Sequence, residues 1–151
     1  MKLSRTIAYA VHATLQLARA EPNVPIPCSQ LASEGQMPER FLLQILRSLV
    51  THGVLTSTRG VEGGYCLARP PAEITLCDIV DAFENPLAPS LPELEGVLPS
   101  VRDRLMLTLR CVSSAARKEL ERLSLADLLK LDGDVEGNSQ PSQQPAPWHG
   151  L

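Results

Sequence analysis

MPERFLLQILRSLVTHGVLTSTRGVEGGYCL, residues 37–67, is the stretch whose reading decides the fold. Pro38 suits the first turn of a helix, and Gly53 stops that helix after His52. Leu42, Ile45, Leu46 and Leu49 fall on one helical face. Arg40, Gln44, Arg47 and Thr51 fall on the opposite face, with Leu43 among them. Residues 54–58 and 65–68 then read as two short strands around a glycine-rich turn that begins at Arg59-Gly60. The order is that of a helix followed by a basic β-wing. A helix fits the DNA major groove, and an arginine at a hairpin tip suits a narrow minor groove. Arg and Gln on the helix can bond guanine and adenine edges, and either can hold phosphate. Gly60, Gly63 and Gly64 are expected to supply positive φ and to bring backbone N–H groups close to phosphate. Glu62 at the tip would repel phosphate unless paired with Arg59.

Upstream, Ser4 can cap a first helix that runs to about Ala20, with Ile7, Ala8, Val11, Leu15 and Ala18 as its apolar stripe. Glu21-Pro22-Asn23-Val24-Pro25 breaks it. Cys28 to Glu34 forms a short second helix with Leu31 and Ala32 inward and Gly35 at its end. The three helices make a helix-turn-helix with a wing. Downstream, Thr75-Leu76-Cys77-Asp78 is a capping-box pattern opening a helix to about Glu84. Residues 85–99 hold four prolines and read as a loop. Ser100, with Asp103 three residues on, is expected to cap a long helix whose apolar positions step by three and four to Leu123. That seam is the expected homodimer interface, through Leu105, Leu109, Val112, Ala116 and Leu120. Ser124 to Asp127 caps a last short helix ending near Leu131. Residues 133–151 are Gly-, Ser-, Gln- and Pro-rich with a single Trp148, and are expected to be a disordered tail. The division is thus a winged helix-turn-helix over 1–84, a loop over 85–99, dimerisation helices over 100–132 and the tail. The fold class is mainly α with a small β-hairpin wing.

The bulk composition agrees. Of 151 residues, 44% are apolar but only 3% aromatic, so the core must be aliphatic. Few aromatics also leave little for stacking on single-stranded nucleic acid. The net charge is −3, but it is split: residues 1–70 carry seven Lys/Arg against four Asp/Glu, while 71–151 carry seven against thirteen. A half that meets phosphate and an acidic half with another task would give this pattern. The N-terminal segment has no signal-peptide character, and no run approaches a membrane span. Cysteines at 28, 66, 77 and 111 match neither a disulfide framework nor a zinc knuckle, which points to a reducing cytoplasm. No Ser/His/Asp set or phosphate-cradling loop stands out, and His52 and His149 have no evident catalytic partner.

These blocks resemble a known family. MKLSRTIAYAVHATLQLA, FLLQILRSLVTHGVLTSTRGVEGGYCLA, ITLCDIVDAFE and SLADLL, in that order, are similar to the winged-helix regulators typified by IscR, NsrR and CymR, the Rrf2 family. The resemblance covers about residues 1–131. It implies a homodimer held by the long helix, a palindromic double-stranded operator, and transcriptional control; the first functional reading is a dimeric sequence-specific repressor. It also marks departures. Cluster-binding members carry three cysteines in the loop before the dimer helix, whereas residues 85–99 here contain none and Cys111 lies beyond. No iron-sulfur cluster or other cofactor is therefore expected. His12 matches a cluster-ligating histidine of one branch, but Ala8 stands four residues earlier in place of a carboxylate. Leu43 stands where several cluster-sensing members have Glu.

Among the cysteines, Cys66 and Cys77 read as small core residues. Cys28 opens a helix, where the N-terminal dipole favours a thiolate, and is the one candidate thiol switch. The competing function is a protein-interaction module that binds a metabolic enzyme, with DNA binding secondary or lost. A regulatory protein or a small-molecule effector is a further candidate partner.

Overall fold

The computed structural model describes residues 3–83, 87–93 and 95–136, with side chains to residue 131. Helices α1 (Arg5–Arg19), α2 (Cys28–Glu34) and α3 (Glu39–Thr51) lead into strands β1 (Leu55–Thr58) and β2 (Gly64–Leu67). A 3-10 turn at Pro71–Glu73 and helices α4 (Leu76–Asp81), α5 (Pro99–Glu121) and α6 (Leu125–Glu136) follow. The last helix thus runs past Leu131 into the stretch expected to be tail. The rest of that stretch, 137–151 with Trp148, lies outside the described residues.

Ser4 caps α1 as expected, its side chain accepting from the Ile7 N–H. The buried face, however, is Ile7, Ala10, Ala13, Thr14 and Leu17, and Ala8 of the expected stripe is exposed. The rotation has a simple cause. Ala10 and Ala13 are small enough to let neighbouring helices approach. Thr14 reads as polar, but its hydroxyl donates to the Ala10 and Val11 carbonyls at 3.0 and 2.9 Å and so can be buried.

The core is aliphatic. Leu31, Leu42, Ile45, Leu46, Leu49, Ile74 and Ile79 are fully covered. Gly35 ends α2 without left-handed backbone, at φ −84; Gln36 takes φ 51 instead. Glycine is needed there for space, because a Cβ would stand 2.5 Å from Met37 Cε and 2.9 Å from the Leu31 carbonyl. Gly53 does adopt φ 71, turning the chain from α3 into β1.

β1 and β2 pair antiparallel, Leu55 with Leu67 through Thr58 with Gly64. A third segment joins them. Ile26 pairs with Tyr65, the two exchanging N–H···O bonds of 3.0 and 2.9 Å. The wing is thereby tied to the α1–α2 loop.

The Thr75–Asp78 capping box forms. Its helix ends at Asp81 rather than near Glu84, and the Ala82 carbonyl accepts from Ser48 Oγ of α3 at 2.6 Å. A second box, Ser124 with Asp127, opens α6. The two helix starts are cross-linked, Leu76 N–H to the Leu123 carbonyl and Leu125 N–H to Ile74, each 2.9 Å. Leu125 is fully buried, and α6 packs on α1 and the 3-10 turn. The sequence division groups this stretch with the dimerisation helices; within the chain it packs against the winged-helix core.

α5 begins at Pro99, with Leu98 in the cap position and no side-chain cap; Ser100 lies inside the first turn. The fixed φ of proline starts this helix in place of a serine hydroxyl. Arg117 binds both oxygens of Asp81, one at 3.0 Å, and Ser113 Oγ donates to the Leu87 carbonyl. These bonds fix α5 to the end of α4 and to the chain beyond it at Leu87.

Candidate nucleic-acid interface

α3 turns Leu42, Ile45, Leu46 and Leu49 inward, which leaves Arg40, Gln44, Arg47 and Thr51 exposed on the other side. Thr51 spends its hydroxyl on the Arg47 carbonyl at 3.0 Å, so it lies back along the helix. Leu43 is half-buried, not an exposed residue between the arginines. The apolar side chain open to solvent at this end is Phe41, packed edge-on against Tyr9 with ring centroids 5.8 Å apart. Sequence periodicity passed over this pair, because the stacking partner lies on another helix.

Between α3 and the wing runs an open cleft of about 640 Å³, lined by Arg47, Thr51, Thr58, Arg59, Gly63 and Gly64 among others. Arg47 and Arg59, far apart in sequence, thus share one concave surface. Arg40 and Gln44 continue along the same helix outside the cleft. Among the described residues none of Arg40, Arg47 and Arg59 has an ion-pair partner, and Glu62 does not bridge to Arg59. Three unneutralised guanidiniums on one face suit phosphate and base-edge acceptors. Thr56, Ser57 and Thr58 of β1 are all exposed beside them. Ser57 and Thr58 line the cleft, where hydroxyls suit phosphate oxygens, and Thr56 is exposed outside it; the sequence signal is the hydroxyl run directly before Arg59.

The three wing glycines have different reasons to be glycine. Gly60 takes φ 117, as expected. Gly63 and Gly64 do not adopt positive φ; they are needed because other backbone comes close. A Cβ at Gly63 would stand 2.4 Å from the Thr58 carbonyl, and one at Gly64 would stand 2.4 Å from Ile26 C and O. Closing the hairpin and docking it on Ile26 both require the missing side chain.

Cys28 lines the same cleft. Its thiol is pushed up from the ordinary value, first by burial and then by the nearby Glu39 carboxylate. The expected dipole-stabilised thiolate is therefore opposed by the surroundings, and α2, at seven residues, is a short helix to supply that dipole. Cys77 is buried and Cys66 half-buried, with burial raising both thiols. Cys111 is exposed on α5.

α5 divides the expected seam in two. Leu109, Ala116 and Leu120 are half-buried, whereas Leu105 and Val112 are open, 42% and 61% exposed. Val101 extends the open edge. Among the described residues no group of three or more His, Cys, Asp or Glu is placed to hold a metal.

A family profile described as "Rrf2: Iron-dependent Transcriptional regulator" matches residues 3–131. CymR of Bacillus subtilis, an HTH-type transcriptional regulator, is 31% identical over 137 residues, 90% of this chain and 96% of its own. A Mycobacterium tuberculosis protein provisionally named an HTH-type transcriptional regulator is 37% identical over 130 residues, covering 85% of this chain and 81% of its own. The solved structure of B. subtilis CymR, described as the global cysteine regulator of that organism, superposes with a TM-score of 0.68 at 28% identity, over 87% of this chain and 98% of that one. T. potens IscR superposes with a TM-score of 0.67 at 26% identity, over 95% and 94%.

Proposed function

The chain belongs to the Rrf2 family of DNA-binding transcriptional regulators, and we propose that it acts as a homodimeric repressor on a palindromic operator without an iron-sulfur cluster. The observation that carries the DNA-reading half is the shared cleft, in which α3 supplies Arg47 and the wing supplies Arg59. Arg40, Gln44 and Arg47 read or hold the major groove, and Arg59 with Gly60, Gly63 and Gly64 holds the backbone of the adjacent minor groove. Two copies joined along the open edge of α5 present two such heads to two half-sites.

Cluster independence is supported by the donor set. Residues 85–99 contain no cysteine, and the four thiols are dispersed over α2, β2, α4 and α5. These residues do not fit a cluster held by three loop thiols, and no step of the proposed action passes through iron. Cytoplasmic location follows from this role; among the described residues no helix is long and apolar enough to cross a membrane.

Selection of random duplex DNA by the purified protein tests the reading. A recovered palindrome with half-sites about one helical turn apart is the expected result. Failure to enrich any sequence at low salt would overturn it in favour of a protein-binding module.

A further inference from the structure

At the C-terminal end of β2, lined by residues other than those of the arginine cleft, lies a second cavity of about 340 Å³. That is within the range of small-molecule sites, about 300–1,000 Å³. Its walls are the last turn of α1 with Leu17 and Ala18, the loop at Pro22–Val24, and the chain leaving β2 from Cys66 to Pro71. The loop wall is a defined turn: Asn23 takes φ 63, and the Val24 N–H donates to the Glu21 carbonyl at 3.3 Å.

The lining is mostly apolar, with two charged residues, Arg69 and Glu21. Arg69 is held in place, its Nη1 donating to the Glu73 carbonyl at 3.1 Å and its Nη2 lying 3.5 Å from Asp78. Its side chain remains 40% exposed, which leaves guanidinium N–H groups for another acceptor. An apolar chamber with one anchored guanidinium fits a small organic acid, apolar body inward and carboxylate on Arg69. Glu21 lies among the lining residues and disfavours a second negative charge.

β2 is a wall of both chambers. Tyr65 and Gly64 line the arginine cleft, whereas Cys66 and Leu67 line this cavity. The strand is four residues long, and Tyr65 is also the residue bridged to Ile26. A ligand against Cys66 and Leu67 therefore touches the C-terminal half of the strand that carries the wing. We propose that this cavity binds a small apolar monocarboxylic acid and that β2 passes its occupancy to the Arg59 wing. The coupling rests on the DNA-binding reading above; ligand binding itself does not.

The full chain, without DNA, is titrated calorimetrically with phenylacetate and isocaproate, each against its primary amide. Operator affinity is then measured with and without the acid. At least one acid should bind saturably at one site per chain, with its amide at least about tenfold weaker. Arg69→Gln and the cavity-filling Ala18→Met should both weaken that binding; Ala18→Met removes no polar contact, so it serves even where Arg69→Gln unfolds. Operator affinity should shift by about tenfold. No binding by either acid, equal binding of acid and amide, or undiminished binding in Ala18→Met would overturn the site. Acid binding with operator affinity unchanged would overturn the coupling through β2. Acid binding by a protein that recognises no DNA would uphold the cavity and sink the DNA reading instead.

Discussion

α3 and α5 are both amphipathic in sequence, yet they end in opposite situations. α3, with 13 residues, buries Leu42, Ile45, Leu46 and Leu49. α5, with 23 residues, buries none. α3 packs against α1, α2 and β1, so its apolar face is covered from several sides. α5 touches the head mainly through α4, pinned by Arg117 to Asp81 and by Ser113 to the Leu87 carbonyl. One flank, with Leu109, Ala116 and Leu120, is half-covered; the other, with Val101, Leu105 and Val112, is open. Apolar periodicity reports that a helix has a face. It does not report whether the same chain supplies the cover. A row of exposed aliphatic side chains at heptad-like spacing is what a helix awaiting a second copy presents.

The sharpest way to break this contrast is to charge the open edge. Leu105→Glu with Val112→Glu places four carboxylates in the proposed dimer. Only the exposed half of each side chain is left for a partner to cover, so each forfeits about 0.7–1.5 kcal/mol of apolar burial, before any desolvation cost. The total is about 3–6 kcal/mol, a weakening of dimerisation by at least on the order of 100-fold. Sedimentation should show monomers of unchanged helicity. A dimer that survives both substitutions would mean that the open edge is not the contact. Leu109 is a poorer probe, because its half-burial against the head mixes folding with assembly.

The matching substitution in the covered helix should act on folding. Leu46 is fully buried. Leu46→Ala should cost about 2–5 kcal/mol of stability, seen as a lower denaturation midpoint, while the folded fraction remains dimeric. Loss of dimerisation with stability intact would reverse the roles assigned to the two helices.

The same contrast marks what could be read without coordinates. α2, α3, the two strands and both caps of the form Thr/Ser-x-x-Asp are local, and their residues signal them directly. The order of blocks that resembles the Rrf2 family carried the fold class as well. One local reading failed, the Ser100–Asp103 cap, because Pro99 starts α5 a residue earlier; the other failures were tertiary. The buried face of α1 turned because a threonine bonded backward and two alanines allowed close approach. Gly63 and Gly64 serve close contacts with Thr58 and Ile26, which no turn rule includes. The pairing of Ile26 with Tyr65 joins segments 39 residues apart, and α6 packs on α1 from more than a hundred residues further along the chain. On the proposed DNA face, the exposure of Arg40, Gln44, Arg47 and Arg59 was legible from periodicity and turn position; the exposure of Phe41, Thr56 and Ser57 needed the placed strand and the neighbouring Tyr9.

Within the head, α3 and the wing can be separated by the kind of loss each produces. Gln44 is exposed on α3 outside the cleft, and an amide there is suited to the N6/N7 edge of adenine. Gln44→Ala should relax the preference at one position per half-site, costing about 1–3 kcal/mol against the preferred base. Arg59 stands at the turn of the hairpin with no acidic partner among the described residues, so it is available to phosphate and to a narrow minor groove. Arg59→Ala should weaken A·T-flanked sites more than others and reduce the salt slope by about one for each wing. Glu62 beside it gives an internal control of the opposite sign: Glu62→Gln removes a repulsive charge and should tighten binding slightly at low salt, with the gain vanishing as salt screens it. The measurement is affinity against a panel of single-base operator variants at several salt concentrations. A uniform loss across the panel for Gln44→Ala would reassign it to phosphate. An Arg59→Ala protein indistinguishable from the parent at low salt would remove the wing from the DNA contact and leave α3 as the sole reader.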